Sequence, residues 1–263
     1  ADWIKHFTAS TFLLQPFFPS ADYFFSFNSP SWSLGCGQLF YFCFPLIVPF
    51  LHTKRSLFIT LLICLPIMLA GMYLTNEEQI KAYWYVNPFT RLPDFFVGVL
   101  LYQFYRSLCN KKLFYSTGTL LEAGAVALFL LFFLCAADIP KVYRYSCYYW
   151  LPVSLIILIF ALQQGGISRL LSNRFLIIGG EISYSFYLIH LFIIDAYMRM
   201  SAHYHWQIQW TISVPVILCI TIILSLLSFY YFEKPANKWV KRIFTKKTII
   251  NQPHGIINKN TTN

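Results

Sequence analysis

Charged residues are scarce in this chain. Asp, Glu, Lys and Arg together make up 11% of its 263 residues, whereas hydrophobic residues make up 57%. The mean hydropathy of +0.56 is more apolar than a soluble domain needs for its core. The composition therefore excludes an ordinary soluble domain and indicates an integral membrane protein. Its long apolar runs predict an all-α fold, because a helix satisfies its own backbone hydrogen bonds in lipid.

Motifs of several soluble enzyme classes are also missing. The seven cysteines contain no C-x-x-C pair, and the chain has neither a glycine-rich phosphate loop nor a G-x-S-x-G elbow. These absences argue against a thioredoxin-like or zinc site, a P-loop nucleotide site and an α/β-hydrolase nucleophile. His203 and His205 lack further ligands close in sequence. We therefore expect no bound metal and no bound cofactor.

The apolar runs predict a polytopic transmembrane helical bundle with about seven to eight spans. A bilayer-spanning helix needs about 20 apolar residues, and two runs of that length contain no charge. Two more contain ionisable residues, and the others are shorter. The predicted spans cover residues 56–74, 212–232, 175–194, 119–135, 39–51, 95–105 and 150–162, with 7–18 as the tail of an eighth.

Basic residues are distributed unequally between the two sides of this predicted topology. One side holds thirteen: Lys54, Arg55, Arg106, Lys111, Lys112, Arg169, Arg174, Lys234, Lys238, Lys241, Arg242, Lys246 and Lys247. The other side holds five: Lys81, Arg91, Lys141, Arg144 and Arg199. The positive-inside rule then predicts a cytoplasmic C-terminus. The net charge of +10 reflects topology and contact with anionic lipid, so we expect no nucleic-acid partner.

The predicted domain organisation is a membrane domain over residues 1–244 followed by a tail. The sequence after residue 244 is polar and rich in asparagine, which predicts a disordered cytoplasmic tail over residues 245–263. The chain begins with Ala, and we expect further sequence upstream.

Ionisable residues within or beside predicted spans are functional candidates, because an unpaired charge in lipid is costly. Ser183, Tyr187 and His190 share one helix face at spacings of four and three residues. This face indicates either a polar cavity wall or a histidine bonded to a neighbouring helix. Arg91 precedes a helix start at which Pro93 and Asp94 fit the first turn. Arg91 is predicted either to bind a substrate group or to pair with an acidic neighbour.

The segment SWSLGCGQLFYF, residues 31–42, joins a polar turn to an aromatic span. Trp32 has the character of an interfacial anchor, and Ser33 is predicted to cap the following helix. Gly35 and Gly37 remain unexplained, since each costs a helix about 1 kcal/mol relative to alanine.

Four segments in order resemble the acyltransferase 3 family of polytopic membrane O-acyltransferases. PSWSLGCGQLFYFCFPL resembles its S-W-S-L-S-V-E-E-Q-F-Y signature and TRLPDFFVGVLL its R-x-P-E-F segment. GGEISYSFYLIHL resembles its G-x-I-S-Y-S-L-Y-L-x-H helix, and FEKPANKW its terminal E-R-P segment.

The resemblance implies transfer of an acyl group, commonly acetyl, from cytoplasmic acyl-CoA to a hydroxyl of an envelope glycan or glycolipid. It implies a multi-pass protein of the bacterial cytoplasmic (inner) membrane that modifies a polysaccharide or lipopolysaccharide. By the same resemblance, the expected catalytic residues are His190, Arg91 and Tyr187. The expected substrate-binding residues are Trp32, Ser33, Gln38, Ser183, Tyr184 and Glu233.

Two departures from the family pattern leave alternatives open. The family's essential histidine and paired arginines lie upstream of anything in this sequence, and Gly37 stands where the signature has an acid. A catalytically inactive remnant is therefore one alternative. A transporter or flippase of an envelope precursor is another, since Glu181, His190 and Arg91 are also residue types that line a substrate route.

Overall fold

The computed structural model describes residues 2–50, 53–206 and 209–250, and these residues form helices and connecting turns without a strand. The α-helices are α1 (Asp2–Thr11), α2 (Ala21–Phe24), α3 (Trp32–Ile47), α4 (Lys54–Leu74), α5 (Pro88–Leu108), α6 (Tyr115–Cys135), α7 (Lys141–Arg144), α8 (Trp150–Leu162), α9 (Gly166–Leu171), α10 (Arg174–Tyr204), α11 (Trp210–Ser228) and α12 (Lys234–Ile250). π-Helical turns cover Lys81–Val86 and Phe229–Glu233. The predicted all-α fold is confirmed for these residues.

Among the described residues, four helical segments are long and apolar enough to cross a membrane: Lys54–Leu74, Tyr115–Asp138, Arg174–Tyr204 and Trp210–Phe244. Only 11–22% of the most apolar stretch of each is buried within the protein, so most of its surface is available to lipid. Trp150–Leu162 is a shorter apolar helix. The larger number of seven to eight spans stays a prediction.

The sequence-based expectation for residues 7–18 is wrong. Helix α1 ends at Thr11, Leu13 has a φ of 56°, and a 3-10 turn covers Gln15–Phe17. The positive φ at a non-glycine residue turns the chain, and Pro16 sits at the start of the 3-10 turn, so the helix does not continue. This segment is therefore not the straight end of a span.

Two helix starts also differ from the sequence prediction. Helix α3 begins at Trp32, one residue before the predicted cap Ser33, because the 3-10 turn Ser29–Ser31 runs directly into it. The Ser33 hydroxyl donates to the Pro30 carbonyl oxygen at 3.0 Å instead of capping an N–H group. Helix α5 begins at Pro88, where the Asn87 side chain accepts from the Phe89 N–H at 2.9 Å.

The chain divides into two compact units, Ala1–Ile177 and Ile178–Asn263. In the first unit, one buried cluster joins α4, a π-helical turn and α7 through Met68, Met72, Trp84 and Val142. A second joins α4 and α5 through Leu57 and Phe96. In the second unit, α12 extends to Ile250, past the predicted tail boundary at residue 245. Residues 251–263 lie outside the described residues, so their disorder stays a prediction.

Candidate active site

In the first unit, four residues lie around Arg91 and its direct partners. Together with Arg91 we name them the Arg91 cluster: Trp32, Tyr85, Arg91, Asp94 and Trp150. Arg91 Nη1 donates to Asp94 Oδ2 at 3.0 Å, and Arg91 Nε donates to the Tyr85 carbonyl oxygen at 2.9 Å. The Arg91 side chain is 17% exposed. Of the two alternatives for Arg91, the structure shows the ion pair, with Asp94 as the partner, and binding of a substrate group stays a prediction.

Aromatic rings and an indole N–H enclose this ion pair. The Arg91 Cζ atom lies 5.4 Å from the Tyr85 ring centre, and the Trp32 ring lies 4.9 Å from the Tyr85 ring on another side. Trp150 Nε1 donates to Asp94 Oδ1 at 2.5 Å. Burial raises the pKa of the Asp94 carboxyl, and Arg91 opposes part of that rise. The signature residue Trp32 and the family arginine thus meet through Tyr85.

The local backbone explains why these side chains converge. The π-helical turn Lys81–Val86 has a wider ring of backbone than an α-helix, and such turns recur at functional sites. Its Val86 carbonyl accepts from Cys36 Sγ at 3.3 Å, which ties this turn to α3. Arg91 lies in the first turn of α5 after the Asn87 cap. Pro93, predicted in the first turn, lies further inside α5 because the helix begins at Pro88.

The two glycines of the signature segment have different surroundings. A Cβ at Gly35 would lie 2.4 Å from the Leu13 carbonyl oxygen and 2.5 Å from Pro16 Cγ, so only glycine allows α3 to pack against this turn. A Cβ at Gly37 would meet no atom within 4 Å among the described residues. Near it, Gln38 Oε1 is buried without a hydrogen-bond partner in the described part of the chain. Packing therefore explains Gly35 and leaves room at Gly37.

The second unit carries the predicted hydroxyl and imidazole residues on α10, and we name Ser183, Tyr187 and His190 the His190 face. Ser183 and Tyr187 are exposed and His190 is half-buried. The Ser183 hydroxyl donates to the Gly180 carbonyl oxygen at 2.7 Å. His190 Nδ1 lies 2.8 Å from the Tyr187 carbonyl oxygen. Since a carbonyl oxygen only accepts, this hydrogen bond favours the neutral tautomer that has its proton on Nδ1 and a lone pair on Nε2.

The opposite side of α10 reaches the terminal acid of the family pattern. Ser185 is 4% exposed, and its hydroxyl donates to Glu233 Oε2 at 3.0 Å. Two family-matched segments are therefore in contact within the second unit. Tyr184 lies beside Ser185 in sequence but is 47% exposed.

Sequence reasoning missed Tyr85, Trp150 and Ser185 as members of these arrangements. Trp150 begins an apolar run, which identified it only as a span end, and its partner Asp94 is 56 residues away. Ser185 differs from Ser183 by two helical positions, or about 200° of rotation. The sequence could therefore have predicted different surroundings for the two serines, because this rotation places them on different faces of α10.

The acidic residue in the predicted span 119–135 has structural partners. Glu122 is 1% exposed, and its carboxylate accepts from the N–H groups of Gly165, Ile167 and Ser168 at 2.9–3.1 Å. The Ser168 hydroxyl also donates to it. A carboxylate that accepts several backbone N–H groups at the start of a helix is stabilised without a catalytic role. Glu122 therefore holds the α8–α9 connection.

The fold and the matched segments define an integral membrane protein of one family. The chain belongs to the acyltransferase 3 family, whose acyltransferase domain matches residues 1–230. It is similar to O-acetyltransferase OatA of Staphylococcus aureus (strain NCTC 8325 / PS 47), with 27% identity over 221 residues, which are 79% of this chain and 36% of OatA.

A second relative carries another acyltransferase name. The chain is 26% identical to acyltransferase MdmB of Streptomyces mycarofaciens over 220 residues, which are 76% of this chain and 54% of MdmB. The chain thus spans about a third to a half of the length of these curated relatives. No solved structure matches it.

Proposed function

We propose that this protein is a membrane O-acyltransferase that moves an acetyl group from cytoplasmic acyl-CoA to a hydroxyl of an envelope carbohydrate. The Arg91 cluster is the observation that carries the proposal, because it brings two family-matched segments together around one guanidinium. The printed names of the relatives, an O-acetyltransferase and an acyltransferase, support acyl transfer. The proposed location is the bacterial inner membrane with a cytoplasmic C-terminus.

A cleft at the other end of α5 supports a phosphate-bearing donor on the cytoplasmic side. Its volume is about 710 Å³, and Lys54, Arg106, Val99 and Tyr102 are among its lining residues. Lys54 Nζ donates to Ser107 Oγ at 2.6 Å. Arg91 and Arg106 are 15 residues apart on α5, about 22 Å at the helical rise. An extended pantetheine arm is of comparable length, so a donor held at Lys54 and Arg106 is able to reach toward Arg91.

The proposed reaction assigns a proton acceptor and a charge stabiliser. The acceptor hydroxyl oxygen attacks the thioester carbonyl carbon, a C–O bond forms and the C–S bond breaks, and the hydroxyl proton ends on the departing thiolate. Among the residues of this sequence, His190 Nε2 is the proposed base that carries this proton, since the histidine that the family resemblance places upstream lies outside it. A guanidinium has five N–H donors, of which Tyr85 and Asp94 take two, so Arg91 retains donors for the negative charge that develops on the carbonyl oxygen. Tyr187 is the proposed hydroxyl partner beside His190.

The space at Gly37 supports a second candidate, a family member with weakened activity. The signature resemblance has an acid where Gly37 stands, and a Cβ added there meets no described atom within 4 Å. Gly37→Glu is therefore expected to fold and to raise acetylation, whereas Gly37→Gln supplies similar bulk without charge. Equal activity of Gly37→Glu and the parent would remove the reason for this candidate.

The decisive experiment measures O-acetyl groups on envelope polysaccharide in a host that lacks its own acetylation. Arg91→Gln is expected to lower the alkali-released acetate at least a hundredfold, because it removes the charge at the proposed reaction centre. Arg199→Gln is the matched control, since Arg199 is predicted on the same outward side and pairs with Asp195 at 2.7 Å with 80% of its side chain exposed. Acetylation at the parental level by a membrane-inserted Arg91→Gln protein would contradict the proposed role.

A further inference from the structure

One cavity on the predicted outward side collects most of the positive charge found there. Its volume is about 570 Å³, within the range of small-ligand pockets, and it lies between residues 77–81 and 137–145. Three of the five outward basic residues line it: Lys81, Lys141 and Arg144. A fourth is Arg91. The positive-inside rule disfavours basic residues on this side, so their concentration around one cavity calls for a reason beyond topology.

The charged residues of this outward cavity are not used for ion pairs with other described residues. Glu77 and Asp138 line the cavity beside the three basic residues, and none of the five forms a salt bridge in the described part of the chain. Arg144 Nε is buried, and no described atom accepts its hydrogen. A buried guanidinium donor without an acceptor is costly, and because Arg144 also lines the cavity, an anionic ligand there would balance its unpaired charge.

Aromatic contacts connect the outward cavity with the Arg91 cluster. Tyr145 lines the cavity, and its ring lies 5.0 Å from the Tyr85 ring. The same Tyr85 ring lies beneath Arg91, and its carbonyl oxygen accepts from Arg91 Nε. A ligand that stacks on Tyr145 is thereby placed one aromatic ring away from the proposed reaction centre.

We infer that the outward cavity is an acceptor subsite for a sugar bearing an anionic group, with Arg144 and Lys141 as its charge contacts. Arg144 binds the anion, Tyr145 offers an aromatic face to a sugar ring, and the Glu77 and Asp138 carboxylates accept from sugar hydroxyl groups. This inference rests on the proposed function, because it names the class of acceptor that the same site takes. An uncharged acceptor would offer the Arg144 guanidinium only hydroxyl oxygens, which bind it less strongly than an anionic group does.

The test measures binding without donor, so its outcome is independent of whether acetyl transfer occurs. The protein in nanodiscs is titrated with a hyaluronan tetrasaccharide and with the same tetrasaccharide after its carboxylates have been reduced to alcohols. Saturation-transfer NMR gives both dissociation constants. The carboxylated form is expected to bind at least tenfold more tightly, because a hydrogen bond to a charged group contributes more than one to a neutral group.

The dissociation constants of single variants identify the residues that bind the carboxylated tetrasaccharide. Arg144→Gln and, separately, Lys141→Gln are expected to weaken the carboxylated form about tenfold and about threefold and to leave the reduced form unchanged. Arg199→Gln is expected to change neither constant. Equal binding of the two tetrasaccharides, binding of neither, or an unchanged preference in both Arg144→Gln and Lys141→Gln overturns the inference. If Arg144→Gln does not fold, the binding measured for Lys141→Gln decides, because Lys141 is more exposed than Arg144. Parental acetylation combined with any of these negative results would refute the acceptor subsite alone.

Discussion

The Arg91 cluster and the His190 face both carry family-matched residues, but their side chains have different partners. Arg91 is 17% exposed and contacts side chains or carbonyl groups from other elements. Ser183 and His190 instead contact the backbone of their own helix α10. Several elements hold the Arg91 charge in place, whereas the hydrogen bonds of the Ser183 hydroxyl and of His190 Nδ1 stay within α10. This difference is consistent with the roles proposed above, charge stabilisation by Arg91 and proton transfer by His190.

The largest expected effect is at His190. His190→Ala should lower acetyl transfer about 10²- to 10⁴-fold, because it removes the proposed base Nε2. His203→Ala is the control, since His203 lies on the same helix and is exposed. The measurement is acetate release from envelope polysaccharide at equal amounts of membrane-inserted protein. If both histidine variants retain parental activity, the His190 face has no catalytic part and the comparison with the Arg91 cluster fails.

The second-largest effect is expected at Trp150, whose indole N–H donates to Asp94. Trp150→Phe keeps the aromatic ring but removes the N–H that donates to Asp94 Oδ1 at 2.5 Å. The loss of a hydrogen bond to this half-buried carboxylate costs about 1–3 kcal/mol, so we expect about tenfold less acetyl transfer and a lower melting temperature in detergent. Trp210→Phe should change neither quantity, because Trp210 is 76% exposed. A Trp150→Phe protein with parental activity and stability would show that Arg91 does not depend on this support.

The sequence predicted element types and individual residues better than their partners. Apolar runs located α4, α6, α10 and α11, because lipid requires long uncharged helices whatever their neighbours. The positions of Trp32 and Arg91 followed from local motifs. Their meeting through Tyr85 did not, because a π-helical turn sets the direction of that ring. Helix starts at Trp32 and Pro88 were misplaced, since turns before them supply the first hydrogen bonds.

The two serines of α10 have different surroundings: Ser185 is buried and bonds Glu233, whereas Ser183 is exposed. Ser185→Ala should lower the free energy of unfolding by about 1–3 kcal/mol, because the Glu233 carboxylate loses a donor at 3.0 Å. Ser183→Ala should change it by less than about 0.5 kcal/mol, since Ser183 is exposed and bonds its own helix. Thermal unfolding in detergent measures both. Equal destabilisation by the two substitutions would contradict the assignment of the two faces.

The smallest effect is expected at Gly37, and its sign is opposite to that of its control, Gly35. Gly37→Ala should stabilise α3 by up to about 1 kcal/mol, because the added methyl group meets no described atom within 4 Å and alanine favours a helix. Gly35→Ala should destabilise by about 1–3 kcal/mol, since its Cβ would lie 2.4 Å from the Leu13 carbonyl oxygen and force α3 away from the preceding turn. The melting temperatures of the two variants should therefore move in opposite directions from the parent. A shift in the same direction would mean that packing against residues 13–16 does not explain Gly35.

The same two variants should also differ in activity. Because α3 carries Trp32, displacement of α3 in Gly35→Ala should lower acetyl transfer, whereas Gly37→Ala should leave it unchanged.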